Sequence, residues 1–401
     1  MRSPVATSSW SSSSSVTHEL GDIATAAIEG AMPGLISLSE QLHADPELSF
    51  EEHRSAERVA TALEGAGFHV ERQVAGLPTA FRASVGSGDL VIGLIAEYDA
   101  LPGVGHACGH NLISAITLGA ALGLSAVCEQ AGIRVEVLGT PAEEGGGGKV
   151  LMLDAGVFGD VHAALMAHPW SFDRLASQCL AVDHFDVIYE GRTAHASAAP
   201  FEGINAGDAM TIAQVSLGLL RQQLPAGDQI HGIVTHGGEA ANVIPGHVTG
   251  RFMCRSRTVE GLDVLIERVH ACFEAGALAS GAALEINRLS PIYTHLEQDP
   301  DLLAAYRRHA EERGRRFDLD DEGAPLPTYS TDMANISLAM PSIHPLIGLE
   351  TNGAVNHQPE FARACVGPSA EKALRDGAIA LCLTAIDAAT TEAIRTRLLE
   401  R

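Results

Sequence analysis

The chain has 401 residues, of which 46% are hydrophobic, and its 26 basic and 50 acidic residues give a formal net charge of −24. This length is enough for two domains with a sizeable core. The acidic excess argues against nucleic acid as a partner, because phosphate-backbone binding depends on clustered Lys and Arg, and against an anionic membrane surface. No apolar run approaches the roughly 20 residues needed to span a bilayer.

The N-terminal stretch "MRSPVATSSWSSSSSVTHELG" has a serine run where a signal peptide would need an apolar segment. We therefore expect residues 1–17 to form a disordered leader. The chain has seven cysteines, an odd number without an export signal, which fits reduced thiols better than a disulfide framework. A cytoplasmic location is the expectation.

The first half of the chain alternates between helical patterns and short apolar runs. A helical pattern begins at residue 35 and is broken near Asp45-Pro46. Buried strands are predicted at 90–96, 133–139 and 161–167, and helices at 111–132 and 149–158. This order is typical of an α/β domain with a mostly parallel sheet flanked by helices.

The pattern changes near residue 180. Strands are predicted at 181–191, 229–238, 247–258 and 282–290, and helices at 205–224 and 259–281. The order β-α-β-β-α-β describes a ferredoxin-like α+β module. A helix at 302–314 and a strand at 342–350 then return to the first type. The predicted domains are therefore a first domain over 18–181, an inserted module over 182–292, and the rest of the first domain over 293–401.

Polar side chains follow four predicted strands of the first domain. They are Glu97, Asp99, Cys108 and His110 after strand 90–96, Glu143 and Glu144 after 133–139, His168 after 161–167, and His357 beyond 342–350. Singly, such residues are more often hydrogen-bonded turn residues or a solvated surface. Ligands bind outside the carboxyl ends of the strands in an open parallel sheet, so their coincidence at one edge indicates a site.

Thiolate, imidazole and carboxylate ligands together suit a borderline divalent ion such as Zn, with Mn or Co as options. One sulfur, one carboxylate and three imidazoles are enough for two ions that share a ligand: Cys108, His110, Glu144, His168 and His357. Two ions ~3.5–4 Å apart polarise a carbonyl and activate water. A further carboxylate must move protons, so one of Glu143 and Glu144 binds metal while the other acts as base. Asp99 is expected to orient a ligand imidazole.

Two features have alternative interpretations. Cys108 precedes a predicted helix, so it could be a nucleophile with His106 or His110 as its base, although this leaves the other polar residues unused. The run "GGGG" at 145–148 either lets the backbone approach the site or is a flexible loop.

From about residue 35 to the end, the chain resembles the dinuclear metal amidohydrolases and carboxypeptidases that include carboxypeptidase G, hippurate hydrolase and auxin-conjugate hydrolases. The likeness is closest to the branch of aminobenzoyl-glutamate hydrolase and β-alanyl-lysine-type dipeptidases. The motifs that carry it are "HADPELSFEE", "AEYDALPGVGHACGHN", "TPAEEGGGGK", "MAHP", "GRTAHASAAPFEGINAGDA", "NVIP", "STDMANIS" and "NHQPEF".

The resemblance implies a role for each matching residue of the first domain. Cys108 would bridge two ions, His110 would bind one of them, and Glu144, His168 and His357 would complete the two coordination spheres. Glu143 would be the general base. Two departures leave the metal preference open: Glu97 stands where many relatives have a histidine ligand, and Asn111 stands where the thiolate-using branches often have Asp.

The same resemblance makes the inserted module a lid and dimerisation domain. His195 would reach the partner subunit's site to stabilise the oxyanion. Asn242 and Arg255 would hold the substrate carboxylate, with Arg251 and Arg257 as nearby alternatives. A strip of three residues would line the substrate pocket or else cap a helix: Ser330, Thr331 and Asp332.

The sequence thus predicts a homodimeric metallo-amidohydrolase or dipeptidase with two divalent ions per subunit, Zn or Mn, with Co as a third option. Its substrate would be an N-acyl or aminobenzoyl amino acid, or a short dipeptide, with a free carboxylate. A non-catalytic binding protein for amino-acid conjugates on the same scaffold is the alternative from another class.

Overall fold

The computed structural model describes residues 10–400, with side chains from Val16 onward. Its helices are α1 Trp10–Ala44, α2 His53–Gly65, α3 His110–Ser125, α4 Cys128–Ala131, α5 Gly148–Asp154, α6 Ala206–Leu220, α7 Val259–Ser280, α8 Pro300–Glu312, α9 Asp318–Asp321, α10 Met333–Ala339, α11 Pro359–Ala364, α12 Pro368–Thr390 and α13 Glu392–Leu399. Its strands are β1 His69–Arg72, β2 Phe81–Val85, β3 Leu90–Ala96, β4 Ile133–Gly139, β5 Ala163–Leu165, β6 His168–Trp170, β7 Gln178–Cys179, β8 Ala181–Glu190, β9 Gln229–His236, β10 His247–Ser256, β11 Ala283–Arg288, β12 Thr328–Tyr329, β13 Ser342–Ile343 and β14 Leu346–Gly348.

The large unit comprises the chain up to Ser177, then Leu296–Pro327 and the chain from Asn335 on. Its main sheet has the strand order β1-β2-β4-β3-β5-β13. Strand β3 pairs in parallel with β4 and β5, and β13 pairs in parallel with β5. Only β1 and β2 at one edge run antiparallel to their neighbours. The sheet is therefore largely parallel, as the sequence predicts.

Burial explains why β3 is apolar along its whole length and why most residues of α3 are apolar. All seven residues of β3 are buried. Helix α3 packs against β3 on one side and against α1 and α12 on the others. A Cβ atom on Gly123 of α3 would lie 2.8 Å from atoms of both Ile28 and Cys382, so glycine there lets the three helices approach closely.

The small unit comprises Gln178–His295 and Thr328–Ala334. Its antiparallel sheet has the order β11-β8-β10-β9. Helices α6 and α7 pack on each other and on this sheet, and their buried faces meet those of β8 and β10 in a separate core. The chain order and strand order are those of the predicted ferredoxin-like module.

Some boundaries differ from the sequence-based expectations. The first helix begins at Trp10 rather than residue 35, so the expected disordered leader over 1–17 is wrong from Trp10 onward, and residues 1–9 lie outside the described part. A formed helix extends at little cost through residues of modest propensity such as serine. Thr328–Ala334 belongs to the small unit, although it was expected in the first domain, because β12 pairs with β7.

Two further differences concern strands. The predicted strand 342–350 is split into β13 and β14, which pair with different strands. Strands β1 and β2, the two outermost on one side of the sheet, were missed because they are short and partly exposed. Among the described residues, no single helix is long and apolar enough to cross a bilayer, and only α12 and α13 together, bent by 84°, meet that length and composition.

Candidate active site

The carboxyl ends of four strands of the large unit carry the predicted site residues. The chain leaves β3 through Asp99 and a turn that places Cys108 directly before α3, whose first residue is His110. Glu143 and Glu144 follow β4, and His168 starts β6. The His357 backbone N–H donates to the Ala107 carbonyl at 2.8 Å. This bond ties the loop after β14 to the Cys108 turn.

Two triads of ligand atoms share the sulfur of Cys108. One consists of Cys108, His110 and His168, and the other of Cys108, Glu144 and His357. Within each triad the ligand atoms lie within 4.8 Å of one another. A sulfur common to two ligand sets is one arrangement that would let two ions lie side by side with a shared ligand.

The donor atoms fit a metal pair by chemistry as well as by distance. Nε2 of His110 and Oε1 of Glu144 are buried and make no hydrogen bond, which is costly for polar atoms unless another group satisfies them. Sulfur, imidazole nitrogen and carboxylate oxygen suit Zn and related divalent ions. The residues present therefore fit two divalent ions, and these five side chains would hold them: Cys108, His110, Glu144, His168 and His357.

Asp99 links the ligands to one another. Its Oδ1 lies 2.9 Å from Nδ1 of His110, which leaves Nε2 of that ring facing the other ligands. Its Oδ2 accepts hydrogen bonds from the Glu144 backbone N–H and the Ser49 hydroxyl, both at 3.0 Å. Burial would raise the pKa of Asp99, but the neighbouring His110 lowers it to about 2. Asp99 is therefore a permanent anion that fixes the His110 ring and the Glu144 backbone.

Burial shifts the pKa of two of the proposed ligands, His168 and Cys108. It lowers the pKa of His168 to about 4, so the imidazole is neutral and able to bind metal. It also raises the pKa of the Cys108 thiol well above its usual value, and the nearby Glu144 adds to this effect. A nucleophilic cysteine needs a lowered pKa, so the environment of Cys108 argues against the cysteine-hydrolase alternative.

Glu143 lies at the edge of the ligand cluster. Its Oε2 is 3.9 Å from Nε2 of His110, and only 7% of the residue is exposed. Glu143, Glu144 and His110 also form a group whose ligand atoms lie within 4.8 Å of one another. The structure therefore gives Glu143 access to the space between the ligands, while Glu144 belongs to the Cys108 triad.

Glu97 and Lys149 form a buried ion pair next to His110. Lys149 Nζ is 2.6 Å from Oε1 of Glu97, and both side chains are fully buried. The other carboxylate oxygen of Glu97 is 3.5 Å from Nε2 of His110. Lys149 was missed at the sequence level, although a lysine directly after "GGGG" in an apolar helix was a visible signal.

In the small unit, His195 is exposed and held by local contacts. Its Nδ1 accepts hydrogen bonds from the backbone N–H groups of Ser197 and Ala198 at 3.3 and 3.2 Å. That nitrogen therefore carries no proton, so the proton of a neutral ring is on the exposed Nε2 side. A β-bridge between His195 and Val243 brings Asn242 alongside.

The three arginines near the end of β10 have different environments. Arg251 forms two hydrogen bonds with Asp186, at 2.8 and 3.0 Å, and is exposed, as is Arg257. Arg255 is partly buried, and no carboxylate in the described part of the chain pairs with it. Burial without a counterion lowers its pKa. Arg255 is therefore a partly buried arginine whose charge is not neutralised by any described carboxylate.

The strip at 330–332 has structural contacts within the small unit. The Ser330 hydroxyl accepts a bond from Arg255 at 2.9 Å and donates one to the Leu180 carbonyl at 2.8 Å. The Thr331 hydroxyl accepts from the Met333 backbone N–H at the start of α10, so the helix-capping contact is present. Asp332 is fully buried.

Comparison with known proteins shows which protein family the chain resembles. Residues 93–384 match the model of peptidase family M20/M25/M40. The Xaa-Arg dipeptidase of Mus musculus is 36% identical over 375 residues, which cover 90% of this chain and 86% of the relative. One chain of the Escherichia coli p-aminobenzoyl-glutamate hydrolase is 35% identical over 280 residues, covering 65% of this chain and 58% of the relative.

Two solved structures share the fold. A putative aminohydrolase from methicillin-resistant Staphylococcus aureus superposes with a TM-score of 0.75 at 22% identity, covering 92% of this chain and 99% of that one. A dinuclear metal-binding M20 peptidase from Bacillus subtilis gives 0.66 at 22% identity, covering 89% and 98%. The family match spans most of the chain, including every strand end that carries a ligand. The chain belongs to peptidase family M20/M25/M40 and is a hydrolase acting on amide bonds.

Proposed function

We propose that the chain is a cytoplasmic, homodimeric dipeptidase or N-acyl-amino-acid hydrolase that uses two divalent ions and cleaves an amide bond next to a free carboxylate. The observation that carries this proposal is the sulfur of Cys108, which belongs to two ligand triads at once.

Two divalent ions, held by Cys108, His110, Glu144, His168 and His357, would polarise the substrate carbonyl and lower the pKa of the attacking water. Glu143 then takes the proton from the attacking water and delivers it to the departing amine. Asp99 keeps the His110 ring in place during these transfers. His195 of the partner subunit donates a hydrogen bond from Nε2 to the oxyanion. The Nδ1 contacts of His195 fix the tautomer that this role needs.

The substrate carboxylate is assigned to Arg255 and Asn242. A planar guanidinium binds a carboxylate through two hydrogen bonds, and Arg255 has no competing carboxylate among the described residues. A dipeptide is the first candidate, since the mouse Xaa-Arg dipeptidase is 36% identical over 90% of the chain. Aminobenzoyl-glutamate is the second, from the shorter match to the Escherichia coli hydrolase. Ser330, Thr331 and Asp332 would line the same pocket.

Dimerisation through the small unit is supported by its exposed surfaces. Strand β9 is an edge strand, and Ile233 and Val234 on it are 64% and 41% exposed. On α6, Val215 and Leu219 lie one turn apart and are 59% and 60% exposed. An unprotected edge strand and an apolar helical stripe are surfaces that a second copy would cover.

A liberated-amine assay tests this proposal. The purified chain is loaded with Zn, Mn or Co and incubated with Xaa-Arg and β-alanyl dipeptides, aminobenzoyl-glutamate and acylated amino acids. We expect amine release from at least one substrate with a free carboxylate, and none after chelation. If metal binds but no substrate is cleaved, the binding-protein alternative replaces this proposal.

A further inference from the structure

The segment Ser49–Glu52, with the sequence "SFEE", contacts the turn that carries Glu143 and Glu144. The proposed mechanism gives this segment no role. It lies between α1 and α2, about ninety residues before the turn. Three of its four residues make a contact that bears on the base or the ligands, and each contact is of a different kind.

Glu52 holds the start of the turn. It is fully buried, and its Oε1 accepts a hydrogen bond from the Ala142 backbone N–H at 2.8 Å. Its Oε2 accepts a second bond from the Thr79 hydroxyl at 3.0 Å. Both carboxylate oxygens are therefore engaged, and the side chain has a fixed orientation toward Ala142.

Ala142 is the residue on which the turn closes. Its carbonyl accepts the backbone N–H bonds of both Gly146 and Gly147, each at 2.9 Å. Its φ is +57°, in the left-handed region that alanine rarely adopts. This conformation is less favourable for alanine than for glycine. The bond from Glu52 helps to hold the backbone in it one residue before Glu143.

The other two contacts involve Gly146 near the end of the turn and the carboxylate of Asp99. A Cβ atom on Gly146 would lie 2.2 Å from Cε2 of Phe50, so the Phe50 ring fills the side-chain space of that glycine. The Ser49 hydroxyl donates to Asp99, whose other contacts are His110 and the Glu144 backbone.

We propose that Glu52 is a positioning residue that, with Ser49 and Phe50, fixes the turn Ala142–Gly148 and thereby the base Glu143 and the ligand Glu144. This inference rests on the proposed function for the roles of those two glutamates. Its physical content is the conformation of the turn, which is measurable without substrate or metal.

The test compares Glu52→Met, which keeps the length of the side chain but removes the acceptor, with Glu47→Met. Glu47 is the matched control, because it is also buried, with 7% of the residue exposed, and its carboxylate accepts hydrogen bonds from Arg54 and Ser55 of α2. In the metal-free chain, we expect amide hydrogen exchange over 142–148 to accelerate at least tenfold in Glu52→Met. Glu47→Met should leave exchange in this turn unchanged.

Two further measurements use the metal-loaded protein. Chelator competition should show a 10- to 100-fold weaker affinity for metal in Glu52→Met, the size of effect seen when a partner of a ligand is removed. Glu52→Gln, which retains an acceptor oxygen, should stay within about fivefold of the unaltered chain. Adding Ala142→Gly to Glu52→Met should restore part of the lost metal affinity, because glycine adopts a positive φ without steric cost.

Equal exchange over 142–148 in Glu52→Met and the unaltered chain would overturn the inference, whatever the activity does. So would an equal acceleration in Glu47→Met. Absence of hydrolysis in the unaltered chain would instead count against the proposed function, and the exchange result would still stand.

Discussion

The sulfur of Cys108 lies 3.5 Å from Nε2 of His168, although 60 residues separate the two in the chain. The contact exists because β3 and β5 are parallel neighbours whose carboxyl ends meet at one edge. Each strand delivers its own side chain to the same point. The site is therefore a product of the sheet topology.

Glu143→Gln should abolish most turnover while two ions remain bound. Glutamine keeps the shape of the side chain but takes no proton, so we expect kcat to fall about 10²- to 10⁴-fold. Metal stoichiometry is measured by elemental analysis of the same preparation. Near-normal turnover would remove Glu143 from the role of base.

Cys108→Ala should lose both ions, because both ligand triads contain its sulfur. His357→Ala should weaken only one ion, since the triad of Cys108, His110 and His168 stays intact. Metal titration of the two variants separates these outcomes. A Cys108→Ala protein that keeps two ions with unchanged affinity would contradict the shared sulfur.

His195 and Glu143 should complement each other between subunits. His195→Ala and Glu143→Gln are each expected to be nearly inactive as homodimers. A mixed dimer contains one site with both residues intact if His195 acts on the partner subunit. Mixing the two variants under subunit exchange should therefore restore up to about half of the activity per mixed dimer, and no recovery would show that the residues act within one chain.

Arg255→Met should impair substrates with a free carboxylate about 10- to 100-fold in kcat/KM, because a charge-assisted hydrogen bond is lost. Arg251→Met is the matched control: Arg251 lies on the same face of β10 but pairs with Asp186. The carboxamide form of the substrate should respond little to either change. An equal loss on acid and amide substrates would argue against a carboxylate contact.

Glu52 should make the stability of the chain depend on pH. Burial, with the nearby charge of Asp99, raises the pKa of Glu52 to about 7, so the folded state holds this proton more tightly than the unfolded state. Its contribution is greatest below the unfolded pKa near 4.5 and is lost as pH rises to 7, by about 3 kcal/mol. Glu52→Gln removes this dependence. Free energies of unfolding of both proteins, measured from pH 4.5 to 8, should diverge by that amount, and parallel curves would refute the shift.

The strands of the central sheet were predictable because they are buried on both faces. The runs at 90–96 and 133–139 match β3 and β4 residue for residue. The short outer strands β1 and β2 were not predictable in this way. Strand β1 has only four residues and no continuous apolar run, and the apolar–polar alternation of β2 extends over only five residues.

The coincidence of imidazole, thiol and carboxylate residues after four strands was enough to nominate the site members, although each such residue taken singly has common structural roles. The partners of those residues were not visible. Glu52 and Lys149 read as ordinary charged residues, and only their burial against Ala142 and Glu97 distinguishes them. The sequence likewise did not distinguish Arg251, Arg255 and Arg257, and only the structure shows that Asp186 pairs with Arg251.

The sequence by itself determined the class of the fold, the ferredoxin-like insertion and the residue types of a metal site, because hydrophobic period and donor chemistry are local properties. Tertiary structure alone decided which sulfur two ligand sets share, which of the three arginines is partly buried without a carboxylate partner among the described residues, and which buried carboxylate holds the turn before Glu143. These depend on distances between segments far apart in the chain, and such distances are set by packing of the whole unit.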